Sequence, residues 1–140
     1  VATAMTPSPA ATVVWDTDPL RILIVDDDPL NRTIASALMG KLGHAVDTAN
    51  NGLEGLASLQ LNTYDLVLMD IQMPVMNGED ALMAIRQRVQ GADVKVIALT
   101  GFALRGEKDR FLAQGFDGYV SKPLVLSELV VEIRRTLALV

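Results

Sequence analysis

Five times along this chain an apolar, often β-branched run is followed by a segment with helical apolar spacing, and that alternation restricts the fold more than any other feature. Arg21-Ile22-Leu23-Ile24-Val25 is nearly uninterrupted, and from Pro29 to Leu42 the residues Leu30, Ile34, Ala37, Leu38 and Leu42 recur at helical intervals. Gly43 stops that helix, Ala45 to Ala49 reads as a short strand, and Asn51-Gly52 opens a second helix through Leu61. Asp65 to Met69 is the third strand, followed by a helix from about Gly78 to Val89 with Ala81, Leu82, Ile85 and Val89 on one face. Val94 to Leu99 is the fourth strand, with a helix from about Leu104 to Gln114 after it. Tyr119-Val120 makes a short fifth strand, and Leu126 to Leu139 a last helix with Leu129, Ile133 and Leu137 in register. Strands alternating with helices in this way imply right-handed crossovers, and hence an α/β fold with a parallel sheet covered on both faces.

At 140 residues, half of them hydrophobic, the chain suffices for one domain with a continuous core. Residues 1–19, VATAMTPSPAATVVWDTDP, show no periodicity beyond Val13-Val14-Trp15 and read as a linker or disordered tether leading into a domain of residues 20–140. That tether suggests a chain cut from a longer polypeptide; a frayed terminus is the alternative. The net charge of -5 argues against nucleic acid, which needs a basic surface. The absence of cysteine removes disulfides, thiol catalysis and thiolate metal sites, and fits a reducing, cytoplasmic setting. No apolar run approaches the roughly twenty residues of a membrane span, so no direct membrane contact is expected of this segment.

In a parallel sheet the C-terminal ends of all strands share one edge, where ligands of open α/β sheets bind. Four of the five strands here end in polar residues: Asp26-Asp27-Asp28, Asp70, Thr100 and Ser121-Lys122. The second strand offers only Thr48 and Asn50. Two carboxylates about 4 Å apart repel by roughly 4 kcal/mol at an effective dielectric near 20, so gathering Asp26, Asp27 and Asp70 calls for a cation. With only oxygen donors at hand, Mg²⁺ is the natural choice, and it keeps water positions that phosphate oxygens can take. Thr100 offers a hydroxyl and Lys122 a point charge, both suited to a phosphoryl group. Asp70 then becomes a nucleophile for covalent phosphoryl transfer, giving an acyl phosphate.

Plainer roles are set beside these. Asp28 before Pro29 is a helix N-cap and receives no metal role. Thr100 or Lys122 alone would be an ordinary strand end or a solvated cation; their convergence with the carboxylates argues otherwise. The lone histidine, His44, reads as a surface residue on the sheet edge opposite Asp70. Met69, Met73 and Met76 are explained by packing.

The motifs ILIVDDD, VLMDIQMPVMNG, VIALTG and GYVSKP, in this order from Leu20 to Val140, resemble those of response-regulator receiver domains. The resemblance implies a flavodoxin-like doubly wound sheet of five strands in the order 2-1-3-4-5, with five helices. It implies Asp70 as phospho-acceptor, Asp26 and Asp27 as the acidic pair, and Asp27, Asp70 and the Gln72 backbone carbonyl as the protein ligands of Mg²⁺. Thr100 and Lys122 carry over as phosphate partners, with Thr100 and Tyr119 as a coupled switch and a cis Lys122-Pro123 peptide. DIQMPVMNG is most similar to receivers of hybrid sensor histidine kinases, which implies a histidine kinase phosphodonor domain and a histidine phosphotransfer domain as partners. Such domains catalyse their own phosphorylation and dephosphorylation, and the parent chain would then be a protein histidine kinase, anchored in a membrane or not. Asn77 stands where Asp is commoner, and Gln72 and Phe102 stand where side chains tune acyl phosphate hydrolysis.

A stand-alone single-domain response regulator is the nearest alternative. A haloacid-dehalogenase-like phosphatase would need a Thr where Leu30 stands and leaves Asp70 without a role. A flavodoxin-like electron carrier would need a phosphate-binding loop where DDDPLN is acidic. A receiver-like interaction module without phosphorylation would not need the full acidic set.

Overall fold

The apolar runs pair as expected. In a computed structural model, which describes residues 15–88, 93–101 and 105–139, strands β1 (Arg21–Val25), β2 (Ala45–Ala49), β3 (Leu66–Asp70), β4 (Lys95–Thr100) and β5 (Gly118–Ser121) form one parallel sheet. Its order is β2-β1-β3-β4-β5. Between them run helices α1 (Pro29–Lys41), α2 (Gly52–Leu61), α3 (Gly78–Arg86), α4 (Glu107–Gln114) and α5 (Leu126–Thr136). The chain steps from β1 outward to β2, then returns to build β3, β4 and β5 on the other side. That reversal opens a crevice at the C-terminal ends of β1 and β3.

Each face of the sheet has its own core, because side chains alternate along a strand. Leu23, Val25, Val67, Met69, Val96 and Ala98 pack on the side of α2 and α3 with Phe111 of α4; Ile22, Ile24, Leu66, Leu68, Ile97 and Leu99 pack on the side of α1 and α5. The same alternation sorts the residues at the strand ends. Asp70 continues the Leu66–Leu68 parity and so belongs to the α1 and α5 side, whereas Thr100 continues Val96–Ala98 and belongs to the α4 side.

Several helix limits differ from the sequence reading. α1 buries Ala35 and Met39, with Leu38 and Leu42 half-covered, while Leu30 and Ile34 at its start are 65% and 42% exposed. The apolar spacing there marks two faces and not one. α3 ends at Arg86, short of Val89, which lies outside the described residues. α4 begins at Glu107 after Gly106 in the left-handed conformation (φ +78°), a backbone state that glycine adopts without steric strain. Leu104 and Phe102 lie outside the described residues.

His44 is not a surface residue. It is only 6% exposed, its Nδ1 accepts the Leu20 N–H at 3.0 Å, and the Trp15 ring packs edge-on against it at 4.7 Å. Arg134 of α5 lies 4.9 Å over Trp15 and pairs with Asp16, so residues 15–16 of the tether dock on the domain. Residues 1–14 lie outside the described part. With Nδ1 accepting, the imidazole proton sits on Nε2, which is buried without a partner among the described residues.

Burial holds His44 below its ordinary value, against the pull of Asp65. The unfolded chain therefore takes up this proton first. The stability contributed by neutral His44 is present above about pH 6.5 and is lost as pH falls from there through the folded value. Denaturation followed by the emission of Trp15, the single tryptophan, should show the wild type losing stability relative to His44→Gln between pH 7 and 5. An unchanged pH profile in the variant would contradict the assignment.

Candidate functional site

The crevice brings together Asp26, Asp27, Asp70 and Lys122 from three strand ends. Asp26, Asp27 and Asp70 each present a carboxylate oxygen within 4.8 Å of the others. Asp26 and Asp70 are buried at 2% and 4% exposure, while Asp27 faces solvent. Lys122 shares their side of the sheet and places Nζ 3.1 Å from Asp26 Oδ2 and 3.3 Å from Asp70 Oδ1. The Lys122–Pro123 peptide is cis, and the Lys122 N–H donates to the Thr100 carbonyl at 2.7 Å.

The surrounding backbone is tied in place. The Asp26 N–H donates to the Ala49 carbonyl at 3.1 Å, and Asp26 Oδ1 accepts the Asp28 N–H at 2.9 Å. Asp28 caps α1 through the Leu30 N–H, with Pro29 in the first turn, as its sequence position suggested. Arg32, which the sequence reading passed over, reaches from α1 to the Asp26 carbonyl at 2.8 Å. On the other side, Asp70 Oδ1 accepts the Gln72 N–H at 3.2 Å, while the Gln72 side chain points to solvent. Asn77 caps α3 by accepting the Asp80 N–H at 2.8 Å, the bond an aspartate there would make.

The loop after β3 closes tightly. A Cβ on Gly78 would lie 2.5 Å from the Asp70 carbonyl oxygen and 2.9 Å from the Ile71 Cα, both backbone atoms. Gly78→Ala must therefore displace the strand end that carries Asp70. We expect a loss of about 1–3 kcal/mol, the usual penalty of overpacking, read as a lower midpoint in thermal unfolding. An unchanged midpoint would show that the loop is looser than described.

Burial, and then the neighbouring Asp26 charge, push the Asp70 carboxyl up to about 6; Lys122 and the Gln72 N–H oppose them. Burial acts against the Lys122 ammonium, yet its hydrogen bond to Asp26 and the Asp70 charge raise it above its ordinary value. The pair thus has a secured cation and a carboxylate that protonates easily. A further cation at the three carboxylates would relieve the remaining repulsion.

Thr100 is buried at the same edge on the opposite side of the sheet. It lines a cavity of about 520 Å³ with Gln72, Met73, Asn77, Glu107 and Phe111. Tyr119 stands two residues back from the edge, since Thr100 pairs with Ser121 and Ala98 with Tyr119. Its hydroxyl donates to Glu107 Oε1 at 3.0 Å. Glu107 is a second residue that sequence reasoning missed: nothing in EKDRFLAQ marks its first residue as buried. Met69 and Met73 are buried, and Met76 is packed against the same core.

This arrangement has a counterpart among known proteins. The family model of the response regulator receiver domain matches residues 22–134. The chain belongs to that family. Sensor histidine kinase RcsC of Escherichia coli is 41% identical over 126 residues, covering 90% of this receiver but 13% of the relative. Hybrid signal transduction histidine kinase G of Dictyostelium discoideum is also 41% identical over 126 residues, covering 87% of this receiver and 4% of the relative. The receiver thus spans a small part of the curated proteins it matches. Among solved structures, the receiver domain of sensor histidine kinase PA1611 from Pseudomonas aeruginosa, with a magnesium ion coordinated in its active site cleft, is 34% identical with a TM-score of 0.78. That match covers 86% of this receiver and 99% of the other chain. The receiver is a module of two-component signalling with the sheet order 2-1-3-4-5.

Proposed function

We propose that this receiver accepts a phosphoryl group on Asp70 from a phosphohistidine, within a phosphorelay of a hybrid sensor kinase. The observation that carries the reading is the placement of Asp70 among Asp26, Asp27 and Lys122 at the strand ends. An Asp70 oxygen attacks phosphorus in line, the new O–P bond forms as the N–P bond of the donor breaks, and the imidazole leaves to take up a proton. Lys122 on one side of the sheet and Thr100 on the other would meet the equatorial oxygens.

The cluster holds only oxygen donors, which fits Mg²⁺ better than a softer metal. Asp26, Asp27, Asp70 and the Gln72 backbone carbonyl are the residues that would hold it. Bound there, the ion neutralises charge that builds up on the transferring group. Thr100 and Tyr119 would then form the switch, on the α4 side.

The partner side follows from α1. Leu30 and Ile34 are exposed, and Ile34 lines a cavity of about 130 Å³ with Asp26, Leu99, Lys122, Pro123 and Leu124. This rim suits a helical, histidine-bearing partner, either a kinase phosphodonor domain or a histidine phosphotransfer domain. The sensor kinases among the relatives favour the hybrid setting over a stand-alone regulator, and a cytoplasmic location goes with it. Among the described residues no helix is long and apolar enough to cross a membrane.

Incubation with acetyl phosphate and Mg²⁺, followed by intact mass, should add one phosphoryl group to the wild type. Chelation of the Mg²⁺ should prevent the gain, and Asp27→Ala should weaken it at limiting Mg²⁺. A wild type that gains nothing would leave a pure interaction module as the better reading.

A further inference from the structure

The Tyr119 hydroxyl is tied to a buried acid for which phosphoryl transfer has no evident use. Glu107 is the first residue of α4, and a carboxylate at a helix N-terminus is favoured by the helix dipole while facing water. Here it is 7% exposed and turned toward Tyr119, whose hydroxyl donates to it at 3.0 Å. A buried carboxylate needs such a donor, because burying it unpaired is strongly unfavourable. The same tyrosine is held at its backbone from another helix, where Glu132 Oε2 accepts the Tyr119 N–H at 2.7 Å. Its ring lies 6.1 Å from that of Phe111, which is wholly buried. Tyr119 is thus fixed by α5 at its backbone and by α4 at its hydroxyl. Glu107 and Thr100 line one cavity, which puts the carboxylate that holds the phenol and the buried hydroxyl on the same side of the sheet.

We propose that Glu107 is a positioning residue for Tyr119: its carboxylate sets the phenol against Phe111 and joins the first turn of α4 to β5. The proposal rests on the phospho-acceptor reading above, in which Thr100 and Tyr119 act together. Glu107 decides where the aromatic half of that pair stands, and the phosphoryl site feels the choice through Thr100.

Two measurements on Glu107→Ala, Glu107→Gln, Tyr119→Phe and the double variant Glu107→Ala/Tyr119→Phe test it. Ring-to-ring NMR contacts between Tyr119 and Phe111, without added Mg²⁺, should be present in the wild type and in Glu107→Gln, whose amide oxygen still accepts, and lost in Glu107→Ala. Contacts that persist in Glu107→Ala would overturn the proposal. The second measurement is the affinity for beryllofluoride with Mg²⁺, a phosphoryl mimic. Glu107→Ala should shift it by up to about tenfold, the worth of one hydrogen bond to a charged group if that bond differs between the free and the loaded protein. In the Tyr119→Phe background the same change should matter less than about twofold, because coupled residues are not additive. Equal shifts in both backgrounds would mean that Glu107 acts on folding alone and would also overturn the proposal. A wild type that takes no beryllofluoride would refute the phospho-acceptor reading, while the ring contacts would still decide the role of Glu107.

Discussion

Asp70→Asn is expected to abolish phosphorylation and, in the same molecule, to raise stability at neutral pH. The first effect follows from chemistry, since an amide oxygen is a poor nucleophile and would leave no acyl phosphate. The second follows from burial. The Asp70 carboxyl sits at about 6, above its ordinary 3.8, first because it is desolvated and second because Asp26 is beside it. A carboxyl raised by folding binds its proton more tightly in the native state. Its favourable contribution is complete below pH 4 and is lost as pH rises through 6. At pH 7 the fold therefore carries an ionised carboxylate that it disfavours, with a ceiling of ~3 kcal/mol from the gap between the two values. Because the amide also deprives Lys122 of a partner, a net gain on the order of 1 kcal/mol is expected. Denaturant unfolding without Mg²⁺ should show the variant more stable at pH 7, with the advantage gone by pH 4. A variant less stable than wild type at pH 7 would mean that the carboxylate is a structural anchor and not a strained functional group.

Lys122→Ala should have the other large effect. The ammonium lies within 3.3 Å of both Asp26 and Asp70, and it is the cation that those two buried carboxylates share. Removing it leaves the pair facing each other, and Asp70 should protonate at a still higher pH than about 6. Loss of one partner from a buried ion pair typically destabilises by about 3–5 kcal/mol. Lys122 is itself partly exposed and Asp70 can take up a proton, so the lower end or less is expected. Phosphorylation should slow by about 10²–10³, the usual loss when one preorganised group is removed from developing negative charge. Mg²⁺ affinity should hold or rise, because a competing cation is gone. That split separates a phosphate partner from a residue needed only for folding. Initial rates by intact mass, beside Mg²⁺ titration, measure it; a variant that keeps its rate would remove Lys122 from the mechanism.

Much of this site was legible because strand ends are local features. Asp26, Asp70, Thr100 and Lys122 each follow a short apolar run, and the parallel sheet does the rest by aligning those ends. Alternation along the strands even divides them, with Lys122 on the side of Asp26 and Asp70 and Thr100 on the side of α4. The strand order itself came from the resemblance, since periodicity does not say which strand is central. What escaped is what depends on contacts between distant segments. His44 looked exposed because it is a polar residue in a turn; Trp15, from a stretch read as tether, is what covers it. Glu107 carried no sequence signal because its partner Tyr119 lies on another element. On α1, Leu30 and Ile34 match the helical period as well as buried residues do, yet they are exposed. Periodicity alone cannot tell a buried stripe from an exposed one.

Locating the phosphoryl group on the chain decides whether Asp70 carries it. After reaction with acetyl phosphate and Mg²⁺, borohydride reduces an aspartyl phosphate to homoserine, a change that peptide mass mapping can place on one residue. The label should fall on position 70, with none at 26, 27 or 28. Homoserine at one of those other positions, or nowhere in a protein whose mass shows a phosphoryl group, would contradict the account.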